Sequence, residues 1–275
     1  MSQGGDRAKR SRATRAALVG GTLLAALVLS GCATGPVSAA AGGHRHTPHR
    51  SSPTSRPPRP TPTPSIPATP AVVGFDKAAQ STVDPASTWV VVNKPRALDP
   101  ITYVPADLTY PDVRYVNHQP MRQETAAALV AMFQAGKAEA GLDFSVQSAY
   151  RSFESQTGVY DDDVARNGQA YADTDTARPG HSEHQTGLAV DISAVPAQCS
   201  LDACFGETPQ GRWLAANAWR FGFILRYPAD KVAVTGFTFE PWHFRYIGTP
   251  LAAQLHATGV TTLEEFFAIP GGPSY

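Results

Sequence analysis

"HSEHQTGLAVD", His181 to Asp191, places two histidines and two acidic side chains around Gly187 in a chain with only eight histidines. His181, Glu183, His184 and Asp191 are therefore four candidate ligands for one ion. His184 and Asp191 are seven residues apart, too far for one helical face, and Gly187 between them lets the backbone turn sharply. The reading is a turn that feeds a short apolar strand, Leu188 to Ile192, with Asp191 pointing back toward His184. A second cluster, Glu240 and His243, follows in FEPWHFRY. On a regular strand a spacing of three puts the two side chains on opposite faces, but Pro241 argues against regular pairing, and a local bend brings both to one place. Two neutral imidazoles and a carboxylate would suit a catalytic zinc, which keeps three protein ligands and one open position. Which three of the six residues serve is not decided by spacing.

Outward from this stretch the pattern is mixed. Met121 to Ala140 carries Leu129, Met132, Phe133 and Gly136 at spacings of three and four, which predicts a helix. Phe144 to Tyr150 alternates with period two and predicts a strand, followed by a helix from Phe153 to Asn167. Trp89 to Asn93 reads as a strand, 100–112 as a covering loop, and 211–220 as a helix with Trp213, Leu214 and Trp219 inward. Phe221 to Tyr227 and Thr235 to Trp242 read as further strands, and Leu251 to Phe267 as one or two helices. Without a regular βαβ alternation the class is α+β. The acidic residues Asp161 to Asp163, Asp173 and Asp175 lack calcium-loop spacing and read as a solvated helix end and loop.

Charge is unevenly spread. The first 60 residues hold nine Lys and Arg against Asp6 alone, leaving 14 basic and 22 acidic residues in the rest. A body near −8 has no footprint for nucleic acid, so none is expected as a partner. Residues 1–31 read as an export signal, with a basic start and an apolar run from Ala16 to Leu29. That run is shorter than the roughly 20 residues of a membrane span. It ends in Leu-Ser-Gly-Cys32, which resembles a bacterial lipobox, so Cys32 is the expected lipidation site and membrane anchor. Residues 32–71 are rich in Pro, Ser and Thr, a flexible tether whose His44, His46 and His49 are incidental. The folded domain is 72–275, expected to be a monomer. Cys199 and Cys204 form a close pair, expected to be a disulfide in an oxidising compartment and contributing about 2 kcal/mol for so small a loop.

Ser182-x-His184-x-x-Gly187-x-Ala189-x-Asp191 resembles the motif of the VanY-type D-alanyl-D-alanine carboxypeptidases, a family of zinc peptidases. The likeness extends to Ser148-Ala-Tyr-Arg151-Ser, Glu240-Pro-Trp-His243-Phe-Arg-Tyr, Val92-Asn-Lys, Tyr103 to Leu108, and Met121 to Leu129, covering about 85–250. It implies the Hedgehog/D-Ala-D-Ala peptidase-like fold, a central antiparallel sheet with flanking helices. It also implies one Zn2+ per chain held by His184, Asp191 and His243, with Glu240 as general base toward a metal-held water and Arg151 beside the scissile carbonyl. Ser182 is the implied substrate contact, with Gln156 as an anchor for the terminal carboxylate, and Trp242 and Tyr246 are candidate pocket walls in contact with substrate. His181 falls outside the pattern, and Glu183 is left to serve the turn or a nearby backbone amide. The implied activity is removal of the terminal D-Ala from peptidoglycan stem peptides by an enzyme lipid-anchored outside the cytoplasm and facing the wall. Two alternatives stay open: an L,D-carboxypeptidase acting on tetrapeptide stems, and a non-catalytic, zinc-containing wall-binding module.

Overall fold

The computed structural model describes residues 74–275 of the chain, so the expected export signal, Cys32 and the tether lie outside the described residues. A two-stranded ribbon comes first, β1 (Leu108–Thr109) paired with β2 (Met121–Arg122), and runs directly into α1 (Gln123–Ala140). The helix thus starts two residues later than its periodicity suggests, because Met121 and Arg122 are used in the ribbon. Glu124 in its first turn and Lys137 in its last complement the helix dipole. Gly141, at φ 68°, closes the helix by donating back to the carbonyls of Gly136 and Lys137, the left-handed cap that glycine adopts at least cost.

After α1 come β3 (Asp143–Ser148), α2 (Phe153–Asn167), α3 (Gln169–Asp175), β4 (Ala189–Val195) and α4 (Pro209–Asn217). They are followed by β5 (Phe223–Leu225), α5 (Val232–Thr235), β6 (His243–Tyr246), α6 (Thr249–Thr258) and α7 (Leu263–Phe267). The main sheet has the order β3-β4-β6-β5 and is antiparallel throughout, the α+β architecture expected. Val190, Ile192 and Ala194 of β4 point to one face and pack with Leu129, Met132 and Phe133 of α1, Leu214 of α4, and Phe244. Ala189, Asp191 and Ser193 point to the other. Period-two alternation therefore divides the central strand into an apolar face and a face of small and polar groups. A bulge in β3 between Val146 and Ser148 breaks its ladder with β4, so that Ser148 lies opposite Asp191.

Two expected strands are absent among the described residues. Trp89 to Asn93 is buried but joins no sheet: Val91 N–H donates to Thr82 O, Asn93 pairs only with Arg96 in an isolated bridge, and side chains reach carbonyls in and just before the segment. Arg245 Nη2 donates to the carbonyls of Thr88 (3.0 Å) and Val90 (2.8 Å), and Arg96 Nε donates to Val91 O. Thr235 to Trp242 is a helix end and a loop: α5 closes at Gly236, φ 80°, and the strand begins only at His243, after Pro241. The expected strand Phe221 to Tyr227 shortens to β5 because Ala218–Phe221 forms a 3-10 turn ending at Gly222. The covering loop holds β1, and both tail helices form. The acidic residues are not simply solvated: Asp163 is buried, accepting from Asn167 and Thr176, and Asp173 pairs with Arg178 at 2.8 Å. The disulfide Cys199–Cys204 is present.

Ionic groups lie inside this framework. Arg226 at the end of β5 donates twice to Glu264 of α7 (2.7 and 2.9 Å) and once to Glu183 (2.8 Å), while Arg245 of β6 donates to the same Glu183 oxygen (2.8 Å). All four side chains belong to residues no more than 1% exposed. Burial works to raise the Glu264 pKa, but the Arg226 ion pair outweighs it and holds the carboxyl below its ordinary value. A group with a depressed folded-state pKa contributes stability that is complete above its unfolded value, here about 4.5, and is lost as pH falls through the folded value. Glu264→Ala, which strands Arg226, is expected to lower stability by about 3–5 kcal/mol in urea unfolding at neutral pH and to flatten the acid limb below pH 4.5. A loss under 1 kcal/mol would refute the network's structural role.

Candidate metal centre

Three elements bring the ligand set together. Asp191 and His243 are direct cross-strand partners in the β4–β6 register, so their side chains share one face. His184 comes from the 3-10 turn Glu183–Thr186, which Gly187 ends at φ 67°; a Cβ there would press on Arg122 and Leu108. The turn folds His184 over β4, placing its Nε2 at 3.3 Å from Asp191 Oδ2, while His243 Nδ1 lies 3.1 Å from Asp191 Oδ1. One donor atom from each of His184, Asp191 and His243 falls within 4.8 Å of the others, and all three residues are buried.

Several features fit a metal ion here. The donors are two imidazoles and a carboxylate, a common set for zinc with an open position. His184 Nδ1–H donates to the Ala149 carbonyl at 2.7 Å, which fixes the ring and leaves Nε2 free to ligate. Asp191 Oδ1 is buried and makes no hydrogen bond, as a ligating oxygen would be. The electrostatics agree. Burial works to raise the Asp191 pKa, but His184 and His243 outweigh it and hold the carboxyl far below the usual range. Burial works to lower the His243 pKa, but Asp191 and Glu183 outweigh it and bring it to about 9. The site attracts positive charge, and a divalent cation is a stronger claimant than a proton.

Glu240 stands beside the cluster, its Oε2 at 3.7 Å from His243 Nδ1. The loop bend expected from Pro241 is a turn in which His243 N–H donates to Glu240 O. Burial pushes the Glu240 carboxyl up to about 8, opposed by His243 and Arg151 and reinforced by Asp191 and Asp175. Arg151 is held by neutral groups: Nη1 donates to Gln156 Oε1 (3.0 Å) and Nη2 to Ser148 Oγ (2.9 Å). Among the described residues no carboxylate lies within ion-pair distance of it, which disposes of a structural salt bridge as its purpose. Burial lowers its pKa, and Asp191 and Glu240 pull the other way.

Arg151, Glu240, the three candidate ligands and Ser182 line one cleft of about 230 Å³. Trp242 and Gln156 also line it. Gln156, however, spends its amide on Arg151 and, through Nε2, on the Ala177 carbonyl (2.7 Å), so it positions the arginine. Tyr246 is not in the cleft: it lies an odd number of positions from His243 on β6, faces the core, and packs edge-on to Phe223. His181 stays outside the ligand set, with Nδ1 on the Asn93 carbonyl and its ring against Tyr275. Glu183 departs from expectation. It serves no backbone amide but sits between Arg226 and Arg245, with Oε2 at 3.6 Å from His243 Nε2. The sequence reading gave no site role to Asp175, Tyr227, Phe237 and Leu201, which also line the cleft, or to Ser148, which holds Arg151. The guanidiniums of FILRY and HFRY, charges inside apolar strands, were the available sign of an inward-facing anion.

The family model described as VanY, D-alanyl-D-alanine carboxypeptidase, matches residues 118–249. YodJ of Bacillus subtilis (strain 168) is 41% identical over 189 residues, spanning 67% of this chain and 68% of YodJ. Among solved structures, the LdcB LD-carboxypeptidase is 40% identical with a TM-score of 0.62, covering 68% of this chain and 88% of that one. A variant of the vancomycin resistance D,D-pentapeptidase VanY from a VanB-type cassette, in complex with Zn(II), is 35% identical with a TM-score of 0.55, covering 64% and 97%. For the present chain, equilibrium dialysis is expected to find one tightly bound transition-metal ion, and Asp191→Ala to lose it while remaining folded. Retention of the ion by Asp191→Ala would refute the ligand set.

Proposed function

The chain belongs to the VanY family of D-alanyl-D-alanine carboxypeptidases, and from that premise we propose that it is a zinc-dependent enzyme removing the terminal D-Ala from peptidoglycan stem peptides. One observation carries the reading. Three ligand-type side chains converge at a cleft that also receives a carboxylate with a raised pKa and a guanidinium without an acidic partner. A purely structural metal site has no use for the last two.

A zinc ion, when bound, supplies Lewis-acid charge to water and to the scissile carbonyl. Glu240 takes the proton of the attacking water as the new C–O bond forms, and returns it to the leaving amine as the C–N bond breaks. The Arg151 guanidinium, steadied by Ser148 and Gln156, offsets the charge that develops on the carbonyl oxygen. Ser182 and Trp242 bound the space the C-terminal residue would enter. Export, lipid anchoring through Cys32 and action outside the cytoplasm belong to the same proposal, supported by the leader sequence and by a disulfide suited to an oxidising compartment.

The likeness to LdcB favours one second reading, L,D-carboxypeptidase action on tetrapeptide stems. Pentapeptide and tetrapeptide muropeptides, followed by mass, separate the two: the pentapeptide is expected to lose one alanine faster, and cleavage of the tetrapeptide alone would transfer the enzyme to the L,D class. EDTA should abolish release, and activity surviving chelation would end the zinc mechanism. Glu240→Gln should lower kcat by about 10²–10⁴-fold with metal content unchanged.

A further inference from the structure

Two buried polar atoms beside the candidate metal centre have no hydrogen-bond partner, Glu183 Oε2 and His243 Nε2, and they face each other at 3.6 Å. The other Glu183 oxygen is fully engaged, accepting from Arg226 Nε and Arg245 Nη1, each at 2.8 Å. On the opposite edge of the His243 ring, Nδ1 faces Asp191 Oδ1 at 3.1 Å and Glu240 Oε2 at 3.7 Å. The ring therefore has a ligand side and a support side. We propose that Glu183 is a positioning residue: with the metal bound, a small turn of the His243 ring closes the 3.6 Å gap, the carboxylate accepts the Nε2–H, and Nδ1 is presented to the metal.

The inference rests on the metal reading above and adds a residue to it. His184 is turned the other way, its Nδ1–H spent on the Ala149 carbonyl and Nε2 left for the ion. Two ligand histidines thus bind through different nitrogens, each fixed by what its second nitrogen meets. Glu183 and His184 are chain neighbours on one 3-10 turn, so a single turn supplies one ligand and orients another. The orienting carboxylate is itself immobilised. Arg226 is clamped by Glu264, and Arg245 by the Thr88 and Val90 carbonyls, so neither guanidinium can follow a swinging glutamate. A glutamine would fill the same volume but could turn its NH2 toward Nε2, where it would offer a donor to a donor.

The test uses the full chain with 15N-labelled histidine, loaded with zinc. Long-range 1H–15N correlation is expected to find His243 protonated at Nε2 and ligating through Nδ1, with His184 protonated at Nδ1. Zinc on His243 Nε2 would overturn the proposal while leaving the metal site intact, whereas failure of the wild type to bind zinc would overturn the metal reading beneath it. In Glu183→Gln, zinc affinity measured by chelator competition should fall by about 10- to 100-fold. An affinity within twofold of wild type in a folded variant would count against the role of Glu183. If that variant does not fold, the tautomer assignment on the wild type decides alone.

Discussion

The antiparallel register of β4 on β6, which sets Asp191 opposite His243, is the constraint from which the site follows. Directly opposed residues share a face with Cβ atoms about 5 Å apart, close enough for two side chains to meet one ion. The next pair in the ladder, Val190 opposite Phe244, points the other way into the core. A slip of one residue would move a ligand into that core and a phenylalanine into the cleft. Packing of α1 and α4 on the apolar face therefore fixes the catalytic face as well, without any contact to it. The β3 bulge works in the same frame, setting Ser148 against Asp191, where its hydroxyl holds Arg151.

Two arginines and two glutamates with almost no solvent contact are an expensive way to hold elements together. The desolvation of four charges consumes most of what their attraction returns, and apolar groups of the same volume often stabilise as well or better. What apolar groups cannot do is place a charged oxygen at a defined distance from an imidazole. Glu183, Arg226, Arg245 and Glu264 link the ligand turn, β5, β6 and α7 through directional bonds, so the position of Glu183 is set from several sides. The network is best understood as alignment of the site, with stability as a consequence of not being able to break it cheaply.

Much of this was legible in the sequence because it depends on local pattern. The helix at Phe153–Asn167 begins at Ser152, whose hydroxyl caps Ser155 N–H, and the strand after Gly187 follows from the short apolar run Leu188 to Ile192. The ligands were found by residue type and by resemblance to a family motif. What was not legible is long-range. Trp89 to Asn93 has strand composition, yet the carbonyl of Val90, with that of Thr88 just before the segment, is claimed by Arg245 from more than 150 positions away. The role of Glu183 depends on Arg226 and Arg245, 43 and 62 positions along. Tyr246 was misplaced for a simpler reason: the strand does not end at Trp242 but runs from His243 to Tyr246, and the odd spacing from His243 sends Tyr246 to the core.

The disulfide illustrates how a small local closure can serve the cleft more than the fold. Cys199 and Cys204 enclose only the residues of CSLDAC, so constraint of the unfolded chain contributes about 2 kcal/mol, modest beside the core. Yet Cys199 and Leu201 both hold φ near 53°, a left-handed conformation that costs a non-glycine residue roughly 1–3 kcal/mol and persists only where the surroundings impose it. The covalent bond, the Ser200 hydroxyl packed on Ser193 of β4, and the Asp202 side chain capping Cys204 N–H impose it. The product is a fixed position for Leu201, an exposed apolar side chain that lines the cleft. Leu201 thereby joins Trp242 and Phe237 in the apolar part of a cleft whose remaining lining includes the ionisable groups of the site. Its rigidity comes from the crosslink and not from burial.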